Sequence, residues 1–221
     1  MRDDTHSRIQ LEQVLPDGIE KRSFEIIGEE LKDRGICLDP EQELVIKRAI
    51  HTTADFDYAE SLVFSPKAVE RAKEALRKGA VIVTDTNMAL AGINKGRLAK
   101  LGAEAVCFMA EPETAARAAS QGTTRASASV ELAAKRYGDS GRPVIFAVGN
   151  APTALVRIYE LIQEKKLSPA LIIGVPVGFV NVIPAKEMIL TLSDTPYIVA
   201  RGRKGGSNVA AAICNAVLYQ M

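Results

Sequence analysis

Apolar residues recur in two rhythms along the chain. Over the first fifty residues they fall three or four apart, the spacing of one helix face. Phe24, Ile27 and Leu31 form one such stripe, with Ser23 placed to cap its start and Gly35 to end it. Asp39-Pro40 reads as a cap followed by a first-turn proline, and Gln42 is set for a capping box. The second helix then carries Leu44, Val45, Ile46, Ala49 and Ile50 and brings His51 to its C-terminal end.

From Leu62 onward short, wholly apolar runs alternate with helical stretches. Leu62–Phe64, Ala80–Thr84, Ala103–Phe108, Val144–Val148, Ala170–Ile173 and Tyr197–Ala200 read as strands. Helices are predicted from the Ser65-Pro66 cap to Gly79, with Val69, Ala72 and Leu76 on one face, and from Pro112 toward Ser120. Further helices run from Ser127 to Tyr137, from Pro152 with Leu155, Ile158, Tyr159 and Ile162 inward, and from about Ser207 to Tyr219. Strands that are apolar throughout and separated by helices indicate a mostly parallel sheet covered on both faces, with right-handed crossovers. The expectation is an α/β fold: a single doubly wound domain over residues 1–221, with an N-terminal arm (1–22) and a helical segment (23–60) leading to His51.

Composition narrows the function classes. Apolar residues make up 47% of the chain, charged residues 25%, and the net charge is +1, so no bulk electrostatic argument favours nucleic acid or a membrane surface. The chain has no tryptophan, which leaves little for stacking on bases. It also lacks an apolar run of roughly 18 residues that would span a bilayer. The polar start, Met1-Arg2-Asp3-Asp4-Thr5-His6, has no signal-peptide core, so a reducing cytoplasm is expected. Cys37, Cys107 and Cys214 are odd in number and far apart, which suggests neither a metal pair nor a disulfide framework. Cys107 and Cys214 read as small core residues, and His6 as a tail residue without a role.

The stretch His51-Thr52-Thr53-Ala54-Asp55-Phe56-Asp57-Tyr58 gathers an imidazole, two hydroxyls, two carboxylates and a phenol where a helix gives way to the first strand. It is either a catalytic loop or a solvated helix end with a capping histidine; a helix C-terminus favours the protonated imidazole in both cases. In doubly wound sheets ligands bind beyond the carboxyl ends of the strands. The loops there are Thr84–Met88, Gly149–Thr153, Gly174–Val180 and Arg201–Asn208, all rich in glycine, proline and small polar residues. The last opens a helix and carries three cations, a site for a carboxylate or phosphate or else a solvated tight turn. It lacks the Walker spacing, and Gly149–Thr153 lacks the dinucleotide glycine pattern. Gly122-Thr123-Thr124-Arg125 is a second basic element or a plain helix connector. Asp55, Asp57 and Asp85 have no second histidine or spaced cysteine to complete a metal site, so they are expected to orient His51 or cap helices.

Five strings, in order, resemble the precorrin-8X methylmutase family. They are His-Thr-Thr-Ala-Asp-Phe-Asp (51–57), Thr-Asp-Thr-Asn-Met-Ala-Leu-Ala-Gly-Ile-Asn (84–94), Gly-Asn-Ala-Pro-Thr-Ala-Leu (149–155), Gly-Val-Pro-Val-Gly-Phe-Val (174–180) and Gly-Arg-Lys-Gly-Gly-Ser-Asn-Val-Ala-Ala-Ala (202–212). The first and last are closest in wording to its cobalt-precorrin-8 branch. The resemblance implies an isomerase that moves a methyl group from C-11 to C-12 of a corrin precursor, with no external methyl donor and no cofactor. Any cobalt belongs to the substrate. His51 then resembles the family's proton donor/acceptor, Ser23 its substrate-contacting serine and Arg125 an arginine lining the substrate pocket. Thr86, Asn150, Arg203, Lys204, Gly205 and Ser207 are added as substrate contacts, because the ring is edged with carboxylates that basic and backbone N–H groups would meet. The resemblance further implies a homodimer, and it departs at 181–186, where Asn-Val-Ile-Pro-Ala-Lys stands for the family's usual Gly/Asn-Ala-Ala-Glu-Ser-Lys. A non-catalytic tetrapyrrole carrier is the alternative, and a mononucleotide-binding enzyme a third reading.

Overall fold

A computed structural model describes residues 11–138 and 140–221. The chain divides into two compact units, one ending at Cys37 and one running from Leu38 to Met221. In the first, a 3-10 turn (Pro16–Gly18) leads into α1 (Ile19–Asp33), whose buried side chains are Ile27 and Leu31. Helix α1 begins earlier than the Ser23 cap implied. Pro16 has already set the chain into a turn, and the Ser23 hydroxyl donates back to Ile19 O at 2.9 Å as a mid-helix serine does.

The second unit is a six-stranded sheet in the order β1-β6-β5-β4-β2-β3. The strands are β1 (Leu62–Phe64), β2 (Val81–Thr84), β3 (Glu104–Cys107), β4 (Val144–Val148), β5 (Leu171–Gly174) and β6 (Tyr197–Ala200). All neighbours run parallel except β1, which pairs antiparallel with β6. The α/β, mostly parallel expectation therefore holds, with every strand where the apolar runs put it. In chain order the helices of this unit are α2 (Glu43–Thr53), α3 (Tyr58–Ser61), α4 (Ala68–Arg77), α5 (Asn87–Gly92), α6 (Lys95–Lys100), α7 (Pro112–Gln121), α8 (Arg125–Tyr137), α9 (Pro152–Gln163), α10 (Val182–Leu190) and α11 (Ser207–Leu218). None of the described helices is long and apolar enough to cross a membrane.

The core follows from strand alternation. Val81, Val83, Phe146, Val148, Ile172 and Val199 pack with Val130, Leu155, Ile158 and Ile189 of α8, α9 and α10. Helices α4 and α11 lie against β4 and β5, with α2 on α11. Of the cysteines, Cys214 is buried and its thiol is pushed up to about 12 by burial. Cys107 is only half-buried, because β3 is an edge strand with one neighbour. Tyr159 and Ile162 sit at the rim of the core rather than inside it.

Several helix starts differ from the sequence expectation. Asp39 does not cap α2. Its carboxylate accepts Glu41 N at 2.8 Å in a local turn, and the helix begins four residues later at Glu43. Helix α8 starts at Arg125, two residues early, because the Thr124 hydroxyl accepts Ser127 N at 3.1 Å and serves as the cap. Helices α3, α5, α6 and α10 have no counterpart among the predicted elements.

Candidate active site

The register of the sheet decides which loops share an edge. Thr84 pairs with Ala147, Val148 with Gly174, and Gly174 with Val199, so the loops after β2, β4, β5 and β6 emerge together. Antiparallel β1 adds a fifth segment. Leu62 pairs with Ala200, and Arg201 N donates to Ser61 O at 2.8 Å, so the chain entering β1 arrives at that same edge. This is how the 51–58 stretch comes to face the glycine-rich loops.

The strand order reverses between β2 and β4, the position where doubly wound sheets open a crevice for ligands. Here Asp85 spans it. Its buried carboxylate accepts the backbone N–H groups of Gly149, Asn150 and Ala151 at 2.9, 2.8 and 2.7 Å. Burial raises its pKa, and the three N–H donors oppose that shift. Asp85 is thus the cap of the turn before α9, one of the two roles expected for it. Next to it, Thr86 caps α5 by accepting Ala89 N at 3.0 Å and shares a 2.8 Å hydrogen bond with Ser207, the first residue of α11. The loops pack too closely for any side chain at Gly149, where a Cβ would lie 2.7 Å from Ser207 Cα.

The 201–206 turn is stitched to the β5 loop. Gly206 N donates to Val175 O at 2.9 Å and Gly178 N to Arg203 O at 3.2 Å. Gly205 has φ +156°, and a Cβ there would come within 2.0 Å of Val175 O, so only glycine fits. The Arg203 guanidinium lies 5.5 Å over the exposed Phe179 ring. Lys204 reaches across to the 51–58 segment, pairing with Asp55 at 2.7 Å and also with Asp57. These hydrogen bonds hold the Asp55 carboxyl below its usual range and raise the Lys204 ammonium above its own.

His51 occupies the last turn of α2, which closes on a left-handed Ala54. The side chain is exposed and lines a cleft of about 350 Å³ with Arg48, Met88, Asn208, Ala211 and Tyr219, between α2, α5 and α11. The Thr52 and Thr53 hydroxyls donate to the carbonyls of Arg48 and Ala49 at 2.9 and 2.8 Å. Tyr58 is buried and its phenol is pushed up to about 12, chiefly by desolvation. Two larger clefts, of about 440 and 520 Å³, open at the amino ends of the strands, lined in part by Pro143, Ala170 and Pro196 and by Val144, Pro169 and Thr195. Their linings include none of the site residues expected from the sequence.

The predicted site residues therefore divide by position. His51, Thr86, Asn150, Arg203, Lys204, Gly205 and Ser207 share the carboxyl edge of the sheet. Arg125 is the exposed first residue of α8, whose Thr124 cap also bonds Thr153 of α9 at 2.9 Å, beside the Asn150 loop. Ser23 belongs to the first unit, and His6 lies outside the described residues. Sequence reasoning missed Lys186, fully buried in α10 with its Nζ on the carbonyls of Gly202 and Lys204 at 2.9 and 2.8 Å. The available signal was a Lys186-Glu187 pair between the apolar runs Val182-Ile183-Pro184-Ala185 and Met188-Ile189-Leu190.

Comparison with known proteins gives the family. A family model described as precorrin-8X methylmutase matches residues 18–220. The chain is 44% identical to the cobalt-precorrin-8 methylmutase of Salmonella typhimurium over 93% of this chain and 96% of that one. It is 36% identical to the precorrin-8X methylmutase of a Sinorhizobium species, over 90% and 92%. A solved structure of precorrin-8X methyl mutase from Thermus thermophilus is 40% identical, covers 92% of this chain and 95% of its own, and superposes with a TM-score of 0.82. On sequence and fold, the chain belongs to the precorrin-8X methylmutase family.

Proposed function

We propose that the chain catalyses an intramolecular methyl shift from C-11 to C-12 of a cobalt-precorrin-8 or precorrin-8X macrocycle, with His51 as proton donor and acceptor. The observation that carries this reading is the position of His51: an exposed imidazole at a helix C-terminus, in a cleft beside loops suited to anionic groups. An imidazole so placed can lend a proton to the conjugated ring. Protonation selects the tautomer through which the methyl migrates, and the proton returns to His51 afterwards. Substrate and product are isomers, so no co-reactant is consumed. The migrating group and its destination are already tethered, so most of the remaining acceleration comes from holding one conformer.

Arg203, Gly205, Ser207, Thr86 and Asn150 are the proposed contacts for the ring's carboxylates near the cleft, with Arg125 beside Thr153. Two of the three ammonium donors of Lys204 are taken by Asp55 and Asp57, which leaves one for the substrate. Ser23 stays a proposed contact on its Arg-Ser-Phe string alone. The test is purified protein with cobalt-precorrin-8, read by absorbance and mass. Conversion to the corrin spectrum at unchanged mass supports the reading, and tight ring binding with no spectral change makes the protein a carrier.

The working form we propose is a cytoplasmic homodimer. A cleft of about 350 Å³ holds only part of a tetrapyrrole, and Met88, Phe179 and Val180 beside the site loops are 71%, 81% and 79% exposed. A second copy would both cover these side chains and add wall to the site. Light scattering should give twice 23.8 kDa, and the single-chain mass at working concentration rejects the dimer.

A further inference from the structure

Lys186 is the one lysine among the described residues that is wholly buried, with 0% of its surface exposed. Among the described residues its ammonium has no carboxylate partner. It donates instead to two peptide carbonyls, Gly202 O at 2.9 Å and Lys204 O at 2.8 Å, and burial pushes its pKa down to about 8. Burying a cation is costly, and an apolar side chain of similar volume would serve packing as well or better. What the cation achieves is the conformation of the 201–206 turn. Gly202, Gly205 and Gly206 all have positive φ there, so the segment has wide conformational freedom of its own. Three consecutive carbonyls of the turn are bound from the α10 and β5-loop side: Gly202 and Lys204 by Lys186, and Arg203 by Gly178 N. With the backbone fixed from that side, Arg203 lies over Phe179, Lys204 reaches Asp55 and Asp57, and Ser207 meets Thr86.

We propose that Lys186 is a positioning residue for substrate binding: its buried ammonium holds the Gly202 and Lys204 carbonyls and so sets how Arg203 and Lys204 are offered to a carboxylate-bearing substrate. The identity of that substrate rests on the methylmutase reading above, and the staple itself does not.

The experiment compares wild type with Lys186→Met in two assays. The first is amide hydrogen exchange of the substrate-free protein. Gly178 and Gly206 N–H, which bond across the turn, should exchange roughly tenfold faster or more in the variant, while Phe146 in β4 keeps its protection. The second is steady-state conversion of cobalt-precorrin-8. KM should rise by about tenfold while kcat stays within roughly threefold, because binding is lost and the His51 chemistry is kept. The same change made in an Arg203→Ala/Lys204→Ala background should raise KM little further, since the staple acts through those two side chains. Lys186→Arg, whose fork can donate to both carbonyls, should recover most of the loss.

Unchanged exchange at Gly178 and Gly206, an unchanged KM, or the full effect on top of Arg203→Ala/Lys204→Ala would each overturn the proposal. If Lys186→Met does not fold, Lys186→Gln, a shorter neutral donor, is read against the same expectations. If wild type leaves cobalt-precorrin-8 unconverted, the methylmutase reading fails, and the exchange comparison alone decides whether Lys186 holds the turn.

Discussion

Lys204 Nζ lies 2.7 Å from Asp55 Oδ2, joining the turn before α11 to the loop that follows His51, and Asp57 closes on the same ammonium. The two segments are almost 150 residues apart in the chain, yet this pair ties them at the carboxyl edge of the sheet. Replacing Lys204 by alanine leaves two carboxylates facing each other and frees the loop that carries His51 on its N-terminal side. We expect kcat/KM to fall on the order of tenfold to a hundredfold, from misplacement rather than lost chemistry. The pair is part-exposed, so high salt should reproduce part of the loss in wild type. A Lys204→Ala variant with wild-type kinetics removes the pair from the mechanism.

The acid side of the stability curve reports the same contact. Asp55 is held below its ordinary range by the Lys204 hydrogen bond, so the folded state binds its proton more weakly than the unfolded state. Its stabilising contribution is therefore present above the unfolded value near 3.8 and is lost as pH falls through the folded one. Thermal melts of wild type and Asp55→Asn, compared between neutral pH and pH 3, should converge as the pH drops. A gap of constant size would show that the charge pair contributes nothing to stability.

His51→Ala should lower kcat by about 10²- to 10⁴-fold, the usual worth of a positioned acid or base, with a smaller change in KM. The residue is exposed, so the melting temperature should hardly move. Normal turnover would remove His51 from the reaction. A large loss of stability would instead point to a structural histidine at a helix end.

Much of this site was legible in the sequence because strands buried on both faces announce themselves, and the loops after them follow by counting. What was not legible depended on pairing across the sheet. The antiparallel setting of β1, which brings the 51–58 segment to the ligand edge, leaves no mark in Leu62-Val63-Phe64. Sequence proximity leaves Asp55 and Asp57 to orient His51 or cap helices, and the structure adds Lys204 on both carboxylates, a partner that no local string announces. Lys186 looked like one more lysine, since its partners are backbone carbonyls and carry no residue type to recognise. Helices α5 and α6, six residues each, are too short to show a periodicity.

Gly205→Ala tests how tightly the turn is built. At φ +156° an alanine is strained before any contact is counted, and its Cβ would sit 2.0 Å from Val175 O, a backbone atom that cannot rotate away. The variant should lose at least about 2 kcal/mol, seen as a melting temperature lower by several degrees. It should also bind the substrate worse, because the Gly206 N to Val175 O bond must open. Gly202→Ala is the control: its Cβ meets nothing within 4 Å, so only backbone strain of about 1 kcal/mol is expected. Equal effects at the two positions would refute the close approach.

Asp85→Ala separates a capping carboxylate from a reacting one. Three backbone N–H groups, of Gly149, Asn150 and Ala151, lose their acceptor together in a buried place. Hydrogen bonds to a charged group are worth more than neutral ones, but the carboxylate's own burial cost is recovered, as its raised pKa indicates. The balance should be a loss of about 2 to 4 kcal/mol, within the range for breaking a buried network. Asp85→Asn should be intermediate, since its carbonyl still accepts while its amide N–H₂ must face donors. Because Asp85 holds the loop that carries Asn150, KM should rise in both variants, in step with the loss of stability. A collapse of kcat in Asp85→Asn with a normal melting temperature and KM would instead make this carboxylate part of the chemistry and take it out of the scaffold.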